Sequence, residues 1–136
     1  MSSILSIAGS GLLAATQRLQ VSAENVANAE SDGPLPSASA AIQAQYPAAY
    51  VPQQVNQVAT AGGGTRAVVS DVQPSSIAES DPTAPYADAS GQVAAPNVDP
   101  VNETIAQVTA RYDFAMNVQV MRVYSQMMQT LLDIKT

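Results

Sequence analysis

The chain has 136 residues and a net charge of -6 at pH 7, with an isoelectric point near 4.1. Its five cations, Arg18, Arg66, Arg111, Arg122 and Lys135, are scattered, which excludes the basic cluster that nucleic acid or an anionic lipid surface requires. Histidine and cysteine are absent, so disulfides and most nucleophile and base pairings are excluded as well.

Hydrophobic residues make up 46% of the chain, but much of that is alanine, and aromatics contribute only 4%. Charged residues, at 12%, fall well below the typical ~25%. A surface so poor in charge suits a subunit packed among others better than a solitary soluble monomer.

The chain opens with "MSSILSIAGSGLLAATQRLQ", mildly apolar but with Arg18 as its first positive charge. This is unlike the basic start of a secretory leader, so export without a cleaved leader is expected. No run reaches the ~18 apolar residues of a membrane span, and no insertion into the bilayer is expected. Ala8, Leu12, Ala15, Leu19, Ser22, Val26 and Ala29 are spaced 4, 3, 4, 3, 4, 3, which predicts a heptad seam on a helix reaching about Ala29. Ser2 or Ser3 is the expected N-cap, with Ser10 a later alternative because Gly9 and Gly11 weaken the first turns.

The helix end, "SAENVANAESDG", is rich in poor helix formers. Gly33 is expected to take the left-handed conformation that ends a helix, and Pro34 to prevent continuation. Residues 34 to 64 carry Pro34, Pro36, Pro47 and Pro52, a Gln-rich tract and a Gly triplet, and read as irregular or mobile. "TRAVVSDV", residues 65 to 72, is the best strand candidate. "SGQVAAPNV", residues 90 to 98, is its expected partner strand, and the stretch between them reads as loop.

The last helix opens at "VDPVNE", where Asp99 can cap, Pro100 suits the first helical position and Glu103 favours the positive end of the helix dipole. Val101, Ile105, Val108, Tyr112 and Ala115 continue at heptad spacing, and a three-residue step at Val118 and Met121 resembles a stammer. The seam resumes at Ser125, Met128 and Leu132. Met121 and Met128 are expected to fill it, while Met116 and Met127 meet neighbours.

The expected fold is mainly α, with N- and C-terminal helices paired as an antiparallel coiled coil around a small irregular, β-containing middle. Its expected units are residues 1 to 33, 34 to 98 and 99 to 136. Ordering each helical residue costs about 1–2 kcal/mol, so an alanine-rich pair is marginal alone, and assembly is expected to supply the missing burial. The carboxylate pairs Glu30 with Asp32 and Glu79 with Asp81 fall in expected loops with nothing apolar to raise a pKa. Together with Asp88, Glu79 and Asp81 fit no EF-hand spacing. No catalytic residue, cofactor or metal is expected.

Asn25, Val26, Ala27, Asn28, Ala29, Asp32 and Gly33 resemble the "N-[IL]-A-N-A-x-T-P-G" signature of bacterial flagellar rod and hook proteins. Asp88, Gly91, Val93, Pro96, Asn97, Val98, Asp99 and Val101 fill the places of "D-x-x-G-x-V-x-x-P-N-V-[ND]-x-V", a pattern of the proximal rod type (FlgC-like). Asn117 and Val118 match a downstream "A-N-V", and "MMQTLLDI" is similar to the C-terminal "M-x-x-T-L-x-L". Ser31 and Asp32 replace the usual Thr-Pro, Pro34 replaces an aromatic, Phe114 stands where Tyr is common and Met116 where Ala is.

The resemblance implies a structural subunit exported by the flagellar type III apparatus. Such a subunit polymerises helically with identical and homologous rod proteins in the periplasm-spanning rod, meets the basal-body membrane ring and transmits torque. The subunit-interface residues it implies are Ala8, Leu12, Ala15, Leu19, Asn25, Val26 and Asn28 on the first helix. On the last helix they are Ile105, Val108, Tyr112, Asn117, Val118, Met121, Met128 and Leu132. Asn25 and Asn28, three apart, are then expected to offer hydrogen bonds to a neighbour. A stand-alone helical hairpin acting as adaptor or secretion chaperone is the alternative.

Overall fold

The computed structural model describes residues 4–134. The proposed caps Ser2 and Ser3 lie outside them. Helix α1 spans Ile4–Ala27 and helix α3 spans Pro100–Asp133, with a short helix α2 at Ala40–Gln45 and four strands between them. At 1.5 Å per residue α1 is about 36 Å long and α3 about 51 Å.

The two long helices pack against each other. Ser22 and Asn25 meet Glu103, Arg18 meets Asp113, and Gly11 lies against Asn117. Residue numbers thus rise along one helix as they fall along the other. The core is built of small side chains: Ala8, Ala14, Ala15 and Val21 from α1, Ala110 from α3, and Val93, Ala94 and Ala95 from β4. Small residues let the backbones approach, at the cost of little apolar area per residue.

The buried stripe of α1 is rotated from the expected one. Ala8, Ala15 and Ser22 face inward as predicted, but their companions are Ala14, Val21 and Asn25. Leu12 and Leu19 are half-buried, and Val26 is 46% exposed. On α3 the expected seam fails to bury: Val101, Ile105, Val108 and Tyr112 are all exposed. The inward positions are Glu103, Ala106, Ala110, Asp113, Asn117, Met121 and Tyr124, all buried or half-buried. Polar residues at those places hid the stripe from a hydrophobicity pattern. The inward steps lengthen to two fours at Asn117 and Met121, which unwinds rather than overwinds the pair and replaces the expected stammer.

The middle segment is more ordered than its composition implied. Strands β1 (Gln53–Ala59) and β2 (Thr65–Asp71) form an antiparallel hairpin in which Ala59 faces Thr65 and Gln53 faces Asp71. The glycine triplet makes its turn: Gly63 and Gly64 have φ of 87° and 89°, and Thr60 accepts from the Gly63 N–H at 2.9 Å. Strands β3 (Ser76–Ser80) and β4 (Gln92–Pro96) form a second antiparallel pair. The expected strand after Gly91 therefore exists, but it pairs with β3, which had read as loop, and not with β2. Its hairpin is closed by Asp88, whose Oδ1 accepts from the N–H groups of Ser90 and Gln92 at 2.7 and 2.9 Å.

Gly33 does not take a left-handed conformation. It bridges to β4 instead, donating to the Ala94 carbonyl at 3.0 Å and accepting from the Ala94 N–H at 2.9 Å. A Cβ there would collide with the backbone of Ala48 and Ala49. Close passage of two chain segments, not a helix cap, requires this glycine.

Candidate functional site

The last turn of α1, the start of β1 and the start of α3 converge on Asn25, which is 1% exposed. Its Nδ2 donates to the Gln53 carbonyl at 2.7 Å and to Glu103 Oε1 at 2.6 Å. Its Oδ1 accepts from the Gln53 N–H at 3.0 Å and from the Tyr50 hydroxyl at 3.1 Å. An amide alone offers two donors and two acceptor sites on one short side chain, and all are used. Ser22 adds a second tie, its hydroxyl donating to the Glu103 carbonyl at 3.0 Å. Burial first, then the nearby charges of Glu24 and Glu103, push the Tyr50 phenol above its ordinary value, so Tyr50 remains a donor at neutral pH.

Asn25 therefore spends its hydrogen bonds inside its own chain, unlike the expectation that it reaches a neighbour. Asn28 is half-exposed and closes the helix end, donating to the Glu24 carbonyl at 2.8 Å and accepting from the Ser31 hydroxyl at 3.3 Å.

Farther along the pair, Arg18 and Asp113 form an ion pair of 2.8 Å, with side chains 23% and 40% exposed. Beyond it Gly11 lies under Asn117, whose Nδ2 donates to the Asp113 carbonyl at 2.8 Å. Any Cβ at Gly11 would overlap the Asn117 amide. Ser10, in mid-helix rather than at a cap, donates to the Ile7 carbonyl at 2.7 Å and accepts from the Thr65 N–H at 3.1 Å. That bond fastens the β1–β2 hairpin to α1.

The remaining sequence-derived interface residues divide by position. Ala8 and Ala15 are buried within the chain, Asn117 and Met121 are half-buried on the inner side of α3, and Val118 is half-buried next to Asn117. Ile105, Val108, Tyr112, Met128 and Leu132 are exposed. Sequence reasoning missed Glu103, Arg18, Asp113, Tyr50 and Gly11 as contact residues. The usable signal was the opposite charge of Arg18 and Asp113, each placed in the interior of its helix.

Comparison with known proteins now bears on these contacts. Residues 89–134 match the family described as flagellar basal body rod FlgEFG protein C-terminal. The chain is 37% identical over 130 residues to the flagellar basal-body rod protein FlgC of Salmonella typhimurium, covering 94% of this chain and 93% of that relative. FlgC of Escherichia coli O157:H7 is 40% identical over 132 residues, with the same coverage. FlgC of Yersinia enterocolitica is 36% identical over 126 residues, covering 92% of this chain and 90% of its own. The chain belongs to the FlgC family of flagellar basal-body rod proteins.

The residues that carried the FlgC resemblance have distinct structural tasks in this chain. Asn97 donates through Nδ2 to the Pro74 carbonyl at 2.9 Å and through its N–H to the Ser75 carbonyl at 3.0 Å, anchoring the end of β4 to the approach to β3. Asp99 caps α3 as expected, its Oδ1 accepting from the N–H groups of Val101 at 2.9 Å and Asn102 at 3.3 Å.

Four acidic residues of this FlgC-family chain, Glu30, Asp32, Glu79 and Asp81, lie close enough for their charges to act on one another. Burial and the charges of Glu79, Asp81 and Glu30 push the Asp32 carboxyl above its ordinary value, although the sequence had offered nothing apolar to shield it. Hydrogen bonds from the Thr83 hydroxyl and N–H hold Asp81 below its own ordinary value. Among the described residues no group of three or more acidic side chains is placed to hold a metal ion, and no helix is long and apolar enough to cross a membrane. An open cleft of about 410 Å³ lies beside the Asn25 junction, lined in part by Arg18, Ser22, Gln53, Asp99 and Glu103. Its one lining hydroxyl, that of Ser22, is already engaged, donating to the Glu103 carbonyl.

Proposed function

We propose that this chain is a structural subunit of the bacterial flagellar basal-body rod, assembling helically with copies of itself and with homologous rod proteins to carry motor torque. The observation that carries the reading is its similarity to FlgC proteins along almost its whole length. In this reading α1 and α3 act as a short antiparallel coiled coil. Residues 1–33 and 99–136 form the polymerising unit, and residues 34–98 form an insert braced on it. The chain works in the rod that spans the periplasm, delivered there by the flagellar export apparatus, and meets the basal-body membrane ring. Its task is mechanical, with no catalytic step and no cofactor.

The exposed residues Ile105, Val108, Tyr112, Met128 and Leu132 are the interface side chains, with Val26, Leu12 and Leu19 on the open side of α1. Ala8, Ala15, Asn25, Asn117, Val118 and Met121 shape that interface from within, and Asn28 finishes the helix that carries it. Heterologous contacts of this kind build an open helical assembly. Replacing the exposed Ile105 with Asp leaves the internal pair intact and blocks rod completion. The check is swimming together with electron microscopy of isolated basal bodies, and full motility with intact rods rejects the reading.

A further inference from the structure

Strand β1 has two edges, and only one is paired along its length. The Pro52 carbonyl accepts from the Val72 N–H at 2.8 Å, and the Thr60 N–H donates to the Gly64 carbonyl at 3.2 Å. In the unbroken register between these two bonds, the backbone groups of Gln54, Asn56 and Val58 point at β2, and those of Gln53, Val55, Gln57 and Ala59 point the other way. At Gln53 both are taken, the N–H by Asn25 Oδ1 and the carbonyl by Asn25 Nδ2. The Asn25 amide thus stands where the peptide group of a third strand would be. Beyond it, the backbone groups of Val55, Gln57 and Ala59 on this side have no partner among the described residues.

Open edges are normally blunted by charge, proline, a bulge or a cover, and the other strands show such devices. The outer edge of β2 is tied to α1 at Thr65, and β2 carries Arg66 and Asp71. Strand β3 carries Glu79, while β4 is bridged by Gly33 and ends at Pro96. In β1, "QQVNQVA", there is no charge, no proline and no bulge.

The open edge runs along a groove. Two open clefts, of about 410 and about 290 Å³, have β1 on one side, α3 on the other and α1 between them. Arg18 lines the first and its ion-pair partner Asp113 the second, so the clefts adjoin. No Cα of β1 comes within 8 Å of one in α3. A strand added at the usual ~4.8 Å from β1 lies over this groove and sends alternate side chains into it. Charge selects those side chains, because the lining sets Asp99, Glu103 and Asp113 against one cation, Arg18, which Asp113 already pairs.

We propose that the outer edge of β1 is a strand-addition site for an extended segment of a different protein. That segment is about five residues long, matching Val55 to Ala59, and carries a lysine or arginine that enters the groove toward Asp99 and Glu103. Main-chain bonds supply the binding, and the cation supplies selectivity. The chain's own strands fit poorly: β1, β3 and β4 have no cation, and β2, which has Arg66, is held by its own β1 and by Ser10. The inference goes beyond the rod reading and does not depend on it, for it uses neither of the helix faces through which rod subunits meet in that reading.

Amide exchange on the full-length chain tests this. The probe is a blocked seven-residue peptide of alternating threonine and valine, with lysine in place of the central valine. It is expected to slow exchange at Val55, Gln57 and Ala59 by about tenfold or more and to leave Ala67 and Val69, on the outer edge of β2, unchanged. Glutamate in place of that lysine weakens binding by about tenfold, and methylation of the peptide's backbone nitrogens abolishes it. Gln57→Pro removes an N–H that points away from β2, so the hairpin ladder is kept while the peptide no longer slows exchange at Val55 and Ala59. Ala67→Pro, the matching change on the other edge, leaves binding at the parent level. Where Gln57→Pro alters the circular dichroism, the methylated peptide on the unaltered chain decides. Unchanged exchange at millimolar peptide, equal binding of the lysine and glutamate peptides, or undiminished binding of the methylated one overturns the proposal. So does slowing that grows with chain concentration without peptide, which assigns the edge to a second copy. None of these results touches the rod reading, which the motility of Ile105→Asp tests separately.

Discussion

Asn25 holds Glu103 by a hydrogen bond of 2.6 Å, joining the last turn of the first helix to the first turn of the last, and the same amide clasps the Gln53 backbone. Substitution by Ala leaves the Gln53 N–H and carbonyl, the Tyr50 hydroxyl and the Glu103 carboxylate short of a partner in a buried place. Each stranded polar group costs about 1–3 kcal/mol, and partial rehydration of the cavity offsets some of that. Asn25→Ala is expected to lower stability by about 3 kcal/mol in urea unfolding. Asn25→Asp, which has no donor for Glu103 or the Gln53 carbonyl, is expected to cost more at neutral pH than under mild acid.

The Gly11 and Asn117 contact predicts a change of sign. Ala at an exposed helix position is favoured over Gly by about 1 kcal/mol, but here its Cβ overlaps the Asn117 amide. Overpacking of this kind costs about 1–3 kcal/mol. Gly11→Ala alone is expected to destabilise the chain, and in the Asn117→Ala background the same substitution is expected to stabilise it. A double-mutant cycle of thermal unfolding reads the reversal directly.

Asp32 predicts a pH dependence. Its carboxyl titrates above the ordinary 3.8, first from burial and then from Glu79, Asp81 and Glu30. A raised folded-state value means that stability is fully present below pH 3.8 and is lost as pH rises through the folded-state value. Asp32→Asn is therefore expected to raise the melting temperature at pH 7, with the advantage over the parent shrinking as pH falls toward 3.8. Asp81 runs the other way. Its lowered value contributes stability above pH 3.8 that is lost as pH falls through its folded-state value, so Asp81→Asn lacks the gain expected of Asp32→Asn.

Arg18 and Asp113, being partly exposed, are predicted to contribute little. Pairs of this kind are worth about 0.2–1 kcal/mol and are screened by salt. Arg18→Met, which keeps the length of the side chain, is expected to fall in that range at low ionic strength and to approach the parent at high salt.

The sequence made the two long helices legible because their signals are local: the Asp99 cap, Pro100 at the first position and uninterrupted helix formers to residue 133. It also made β2 legible, through its run of Thr, Ala and Val. Strands β1 and β3 stayed hidden because "QQVNQVA" and "SIAES" are polar and mostly exposed. What makes them strands is pairing with β2 and β4, which only the folded chain reveals. The rotation of both helix seams has a similar origin. The inward face relies on Asn25, Glu103, Asp113 and Asn117, whose polarity is satisfied by one another, by Arg18 or by backbone, while the bulky residues that look like a core lie outside. A pattern of hydrophobicity finds the outer stripe first.

Helix α3 outruns its companion, for Ile4 of α1 already lies beside Gln119 to Met127, leaving the final turn and a half without a helix alongside among the described residues. Helical turns lacking such support open readily on their own. Amide exchange near Leu131 should therefore be fast in the free chain and slow once a neighbour lies across it, giving an internal clock for when incorporation occurs.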